Sequence, residues 1–135
     1  MTLSDLVAGC DGLLTKESND TPISGISYDS RKVKKGDLFV CISGFVTDGH
    51  DYARQAEAKG AAAVICERDT GVAVPQIRVK NARRTLAQVS HRFYQNPSER
   101  FKLIGVTGTN GKTTVTYLVK AILEEAGHRV GLIGT

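Results

Sequence analysis

Gly105-Val106-Thr107-Gly108-Thr109-Asn110-Gly111-Lys112-Thr113-Thr114 joins an apolar run at residues 101–106 to a helical pattern at residues 112–126. A strand that passes through glycines into a helix opening with Lys-Thr is the setting of a phosphate-binding loop. The glycines let backbone N–H groups turn toward phosphate oxygens with no Cβ in the way. Lys112 supplies a compact positive charge for β- and γ-phosphates, and the Thr113 hydroxyl is a ligand for Mg2+. The strict pattern, G-x-x-x-x-G-K-[ST], places its first glycine at position 106; that residue is Val106, and the glycine stands one place earlier, at Gly105. Gly108, inside the loop, can take a positive φ instead. A bare turn that binds nothing has no need of Lys-Thr at the helix start. The stretch reads as a nucleotide-binding loop in an α/β fold.

After the loop, Val115, Leu118, Val119, Ile122 and Leu123 follow the i, i+3, i+4, i+7, i+8 stripe of an amphipathic helix. Gly127 caps that helix, and residues 130–133 read as a strand. Before the loop, Asn96-Pro97-Ser98 punctuates the chain and marks a domain boundary. Residues 82–94 read as a helix capped by Asn81, with His91 as a partly exposed helix residue. Residues 38–42 and 62–66 are apolar runs of the kind buried on both faces, and 74–79 is a further strand with Pro75 near its start. Residues 51–59 form an alanine-rich helix closed by Gly60, preceded by a loop at 44–48. Residues 23–28 alternate as an edge or half-buried strand would, and 3–8 form a short helix with Leu3, Leu6 and Val7 on one side. The polar stretch 11–22 has no convincing period. The pattern predicts two pieces: a small mixed-sheet domain at 1–97, and at 98–135 the first βαβ unit of a P-loop domain, too little to cover both faces of a sheet.

The bulk figures narrow the function classes. The chain has 135 residues, 41% hydrophobic and 24% charged, an ordinary globular composition. No apolar run approaches the ~20 residues of a membrane span. The N-terminus lacks the basic and apolar regions of a signal peptide, so a cytoplasmic location is expected. The net charge of +4 suits anionic ligands but not nucleic acid, because the basic residues are scattered apart from Arg31-Lys32-Val33-Lys34-Lys35, which reads as a solvated turn. Cys10, Cys41 and Cys66 have neither disulfide nor zinc spacing and read as buried free thiols. His50, His91 and His128 show no metal-ligand spacing.

Residues 107–114 resemble the ATP loop of the Mur ligases, the ATP-dependent amide-bond-forming enzymes of peptidoglycan precursor synthesis. Asp29-Ser30-Arg31, Lys35-Gly36-Asp37-Leu38-Phe39-Val40, Gly44, Asp48-Gly49-His50-Asp51 and Lys59-Gly60-Ala61 look like the N-terminal domain of that family. Phe93-Tyr94 with Pro97-Ser98, and Gly131-Leu132-Ile133-Gly134-Thr135 after the helix, look most like its MurE branch, the UDP-N-acetylmuramoyl-dipeptide:diamino-acid ligases. The MurF branch shares the upstream pattern but usually differs where Thr109-Asn110 stand. The resemblance runs along the whole chain but covers only the front third or less of such an enzyme: the UDP-substrate domain and the opening of the central ATPase domain.

The resemblance implies a reaction and roles for residues. ATP phosphorylates the terminal carboxylate of UDP-N-acetylmuramoyl-L-alanyl-D-glutamate, and the amine of a diamino acid, diaminopimelate or lysine, attacks the acyl phosphate. Gly108, Thr109, Asn110, Gly111, Lys112, Thr113 and Thr114 would hold ATP, Lys112 as the catalytic cation and Thr113 as the Mg2+ ligand. Ser30 would hydrogen-bond the UDP moiety and Tyr28 line the uracil; read from the residues alone, the favoured reading is Tyr28 as strand packing and Ser30 as a turn or cap residue. Phe45-Val46-Thr47 corresponds to the loop that closes over the UDP-sugar, whereas Arg31 and Asp48-Gly49-His50 read as structural. Twenty-one residues follow Thr114, so this chain alone is expected to be catalytically silent, and the full-length enzyme a monomer acting on no nucleic acid and no membrane. Competing readings are a UDP-sugar-binding module without catalysis, and a different P-loop enzyme such as a folate-polyglutamate ligase relative; residues 30–61 argue against the latter.

Overall fold

In a computed structural model, which describes residues 1–14 and 20–134, the chain forms two compact units, Met1–Arg100 and Phe101–Thr135. The first unit is built on five strands: β1 (Gly12–Leu14), β2 (Gly25–Ser27), β3 (Asp37–Val40), β4 (Ala63–Cys66) and β5 (Gln76–Val79). They lie in the order β1-β5-β4-β3-β2, with β2 to β5 parallel and β1 antiparallel to β5 at one edge. This is the expected mixed sheet.

Period-two alternation divides the central strands between two cores. Leu38 and Val40 of β3, with Ala63 and Ile65 of β4, join Leu3 and Leu6 of helix α1 (Leu3–Val7) and Val89 of α3 (Ala82–Phe93) on one face. Phe39, Cys41, Val64 and Cys66 face the other way, onto Ala53 and Ala56 of α2 (Ala53–Ala58). A strand covered on both faces needs apolar residues there, as at Leu38, Phe39 and Val40 of β3 and all four residues of β4; Asp37, buried at the start of β3, accepts from the Lys34 N–H instead.

The helix ends follow local rules. Thr2 and Asp5 exchange hydrogen bonds in a capping box, and Asn81 accepts from the Arg84 N–H at the start of α3. Gly60, at φ +95°, ends α2 by donating to the Glu57 carbonyl while Ala61 donates to that of Ala56. A 3-10 turn, Gly49–Tyr52, leads into α2 from the side where a longer helix was expected. The stretch 11–22, which shows no period, supplies β1; a three-residue edge strand declares itself only by pairing, Gly12 opposite Val79 and Leu14 opposite Ile77. The remainder of that stretch, residues 15–19, lies outside the described residues.

The second unit consists of α4 (Lys112–Glu125) and its flanks. Gly127 donates to the Glu124 carbonyl and His128 to that of Leu123, so the helix ends where expected. The strands expected at 101–106 and 130–133 carry no ladder. A parallel strand exists only beside a neighbour, and no residue from 101 to 134 is buried.

Candidate functional site

The phosphate-loop residues surround the start of α4. Gly111 is the N-cap, at φ +74°, and makes no side-chain cap hydrogen bond. The first turn of a helix carries the positive end of its dipole, the end at which helices in general receive anions. Gly108 sits at φ +152°, and Lys112 reaches back across the loop to donate from Nζ to the Gly108 carbonyl at 2.7 Å. These two glycines are required by their backbone angles, since no heavy atom comes within 3.4 Å of a Cβ built on either. Gly105, the displaced first glycine of the motif, takes no positive φ. Thr109, Asn110, Thr113 and Thr114 are all exposed around the same helix end.

Tyr28 and Ser30 part company. Tyr28 lies just past β2, 67% exposed, on an open groove of about 830 Å3 that also takes in Ser24, Ile26, Lys32, Lys34 and Tyr94. It is not strand packing. Ser30 is buried and donates from Oγ to Gln55 Oε1 at 2.7 Å, so its hydroxyl retains only acceptor capacity. Between them Asp29 accepts from the Arg31 backbone N–H and, in bidentate fashion, from its guanidinium. Those hydrogen bonds pull the Asp29 carboxyl down to about 2. Arg31 is thus tied to the turn.

Phe45 and Val46 occupy the tip of a hairpin closed by the Gly44 N–H donating to the Thr47 carbonyl at 2.9 Å and by a bridge between Ser43 and Asp48. Both side chains are essentially fully exposed. At its base, Asp48 Oδ1 accepts from the His50 backbone N–H at 3.0 Å and meets His50 Nδ1 at 2.6 Å, while Oδ2 accepts from Arg68 Nη2 at 2.9 Å. The His50 hydrogen bonds hold the Asp48 carboxyl below its ordinary value, with Arg68 adding to the effect. Asp48 as an Asx-type cap was legible from its spacing to His50. Gln55, Glu67, Arg68 and Arg83, which hold these segments from 17 to 40 residues away, gave no local signal.

The cysteines are free; Cys41 and Cys66 are buried and Cys10 half-buried. Burial pushes the Cys41 thiol up to about 12 and that of Cys66 to about 11, so both are neutral packing groups. His91 is bonded through Nε2 to the Ser98 hydroxyl at 2.7 Å. Among the described residues no three His, Cys, Asp or Glu side chains converge as a metal site, and no helix is long and apolar enough to cross a membrane.

Comparison with known proteins places both halves of the chain in one enzyme group. Residues 22–94 match the Mur ligase family, catalytic domain, and residues 106–135 the Mur ligase middle domain. A protein of Clostridium botulinum named UDP-N-acetylmuramoyl-L-alanyl-D-glutamate--2,6-diaminopimelate ligase is 49% identical over 140 residues, covering 100% of this chain and 29% of that protein. A solved structure of a ligase of the same name superposes on 100% of the chain, and 28% of its own, with a TM-score of 0.78 at 30% identity. The MurF ligase of Thermotoga maritima, solved in complex with ADP, gives a TM-score of 0.58 at 32% identity over 78% of this chain and 24% of its own. The chain therefore spans less than a third of the length of these relatives.

Proposed function

The chain belongs to the Mur ligase family, and from that premise we propose that it is the front part of a MurE-type ligase. In this reading residues 1–97 bind UDP-N-acetylmuramoyl-L-alanyl-D-glutamate and residues 98–135 open the domain that binds ATP. The whole enzyme, a cytoplasmic monomer, joins a diamino acid to the substrate's terminal carboxylate through an acyl phosphate. The names carried by the relatives favour diaminopimelate over lysine. They also favour this branch over MurF, whose solved structures share the fold.

The observation that carries the reading is the helix start at Gly111, with no side-chain cap and with Lys112 folded over the loop. The N–H groups of the first turn would take the phosphate oxygens, and Lys112 would exchange the Gly108 carbonyl for the β- and γ-phosphates. Phosphoryl transfer needs its growing negative charge held in place, which a fixed ammonium and aligned N–H groups do without rearrangement. The Thr113 hydroxyl at the helix start fits the demand of Mg2+ for oxygen ligands, the remainder being nucleotide phosphates and water. When bound, the ion would supply positive charge against the negative charge that grows on the transferring phosphoryl group.

In the other unit, Tyr28 offers an aromatic face beside Lys32 and Lys34, a combination that suits a base joined to a diphosphate. Ser30, buried outside the groove with its proton committed to Gln55, would brace the turn that carries Tyr28. Phe45-Val46-Thr47 would cover the sugar. Calorimetric titration of the chain with UDP-N-acetylmuramoyl-L-alanyl-D-glutamate tests the assignment. Saturable one-site binding, weakened on the order of tenfold by Tyr28→Ala, is expected. Absence of binding at millimolar ligand would overturn it.

A further inference from the structure

β2 closes one side of the sheet, and among the described residues its only strand partner is β3. The start of its outer edge is already in use. Thr2 bridges Pro22 in antiparallel fashion, and Ile23 donates to the Met1 carbonyl at 2.9 Å. Ser24 points the other way, donating to the Gly36 carbonyl at 3.0 Å on the β3 side. Successive residues of a strand turn their backbone groups alternately to its two sides, which directs the N–H and C=O of Gly25 and Ser27 to the open edge. The groove of about 830 Å3 takes in these same residues. Its two walls differ in chemistry. On the sheet face shared with α3, Ile26 and Phe93 pack against the core, and Tyr94 meets Phe93 edge-on with ring centroids 5.2 Å apart. Toward the other face stand Lys32 and Lys34, both exposed, on either side of Val33 in the core under α2. The nearby carboxylates are engaged, Asp29 by the Arg31 guanidinium and Asp37 by the Lys34 N–H at 2.9 Å.

An open edge beside a groove is a template for one more strand. We propose that this edge docks an extended segment of a protein partner whose side chains alternate, apolar toward Ile26 and Phe93 and acidic toward Lys32 and Lys34. Backbone pairing at Gly25 and Ser27 attaches the segment, and its period of two delivers one chemistry to each wall. Lysines beside an edge disfavour indiscriminate pairing, so charge selects the partner. The inference stands apart from the substrate reading, although both would use Tyr28 and these two lysines.

The probe is a short synthetic peptide alternating glutamate with valine, titrated into the full 135-residue chain and followed by calorimetry and amide hydrogen exchange. Saturable binding is expected. The Gly25 and Ser27 amides should gain protection, while those of Ser24 and Ile26, already turned toward β3, should not change. Two N-methylated forms of the peptide, one on the valines and one on the glutamates, each lose the donors along one edge of the strand. One of the two should bind about tenfold more weakly, the other about as well as the parent peptide. Lys32→Glu combined with Lys34→Glu, both at exposed positions, should weaken binding about tenfold, and a lysine–valine peptide should bind the parent chain more weakly than the glutamate–valine one. Absence of binding at millimolar peptide would refute the docking edge. So would binding that leaves the Gly25 and Ser27 amides unprotected, or that neither N-methylated form loses, since the groove would then be a patch for anions and not a place for a strand. The probe carries no nucleotide, so these outcomes do not depend on whether the UDP substrate binds.

Discussion

The two units of this chain are built by different means. In Met1–Arg100 the central strands β3 and β4 are buried at every position and draw their contacts from segments tens of residues away. In Phe101–Thr135 no described residue is buried, and α4 stands with Leu118 and Ile122 at 59% and 69% exposure. What survives in the second unit is what neighbours in sequence can make: i to i−4 hydrogen bonds, a glycine N-cap, a glycine-closed C-terminus. What does not form is the ladder at 101–106 and 130–133, which needs strands from elsewhere. The loop before α4 belongs to the first kind of structure, the groove beside Tyr28 to the second.

The largest test of this contrast is a matched pair of truncations. Leu38→Ala removes a fully buried side chain from the core shared by α1 and α3, and should lower the unfolding free energy by about 2–5 kcal/mol. Ile122→Ala removes a comparable side chain from α4 and should stay within about 0.5 kcal/mol, with helix propensity in its favour. Urea titrations followed by circular dichroism compare the two. Equal losses would mean that α4 is packed after all.

The same contrast decides what could be read in advance. Apolar runs, Asn81, Gly60 and Gly127 located four strands and the helices to within a few residues, because those signals are local. The loop at residues 105–114 could be singled out for the same reason: it is ten consecutive residues. β1 was missed because a three-residue strand beginning with glycine has no pattern of its own. Gln55, which turns the Ser30 hydroxyl inward, and Arg68, which braces Asp48, sit 25 and 20 residues from their partners. Nothing in the spacing of either pair predicts the contact. The groove beside Tyr28 depends on residues from β2 and the end of α3, and only the folded sheet brings them together.

A smaller effect separates the two kinds of site chemically. Lys112→Ala removes a charge-assisted contact worth about 1.5–3 kcal/mol from nucleotide binding. Titration with Mg-ATP should show an affinity lower by roughly ten- to hundredfold. Binding of the UDP substrate and the urea midpoint of the first unit should not move, because Lys112 bonds only within its own loop. A parallel loss of both ligands would show that the loop does more than hold phosphate. Within the loop, Gly111→Ala forces a Cβ onto a φ of +74°, a strain of about 1–2 kcal/mol that falls on an exposed helix of 14 residues. Helical signal should drop, whereas Gly105→Ala, at a position with no positive φ, should leave it unchanged.

The smallest expected effect contrasts a local carboxylate with a long-range one. Asp29 is held at about 2 by Arg31, two residues on; Asp48 is held below 3.8 first by the His50 backbone N–H, then by the His50 ring, with Arg68 contributing from twenty residues away. Both folded values are depressed, so each carboxylate contributes stability that is present above its ordinary value of 3.8 and is lost as pH falls through its folded value. The loss therefore begins near pH 4 and, for Asp29, continues to about pH 2. Urea midpoints at pH 7 and pH 3 should differ less in Asp29→Asn and in Asp48→Asn than in the parent chain. Removing Arg68 should flatten the Asp48 share and leave the Asp29 share intact, since Arg31 answers Asp29 within its own turn. An identical response of both carboxylates to Arg68→Met would mean that the turn at 29–31 and the hairpin base at 48–51 are one electrostatic unit, and the division between local and distant contacts would fail at the place where it is easiest to measure.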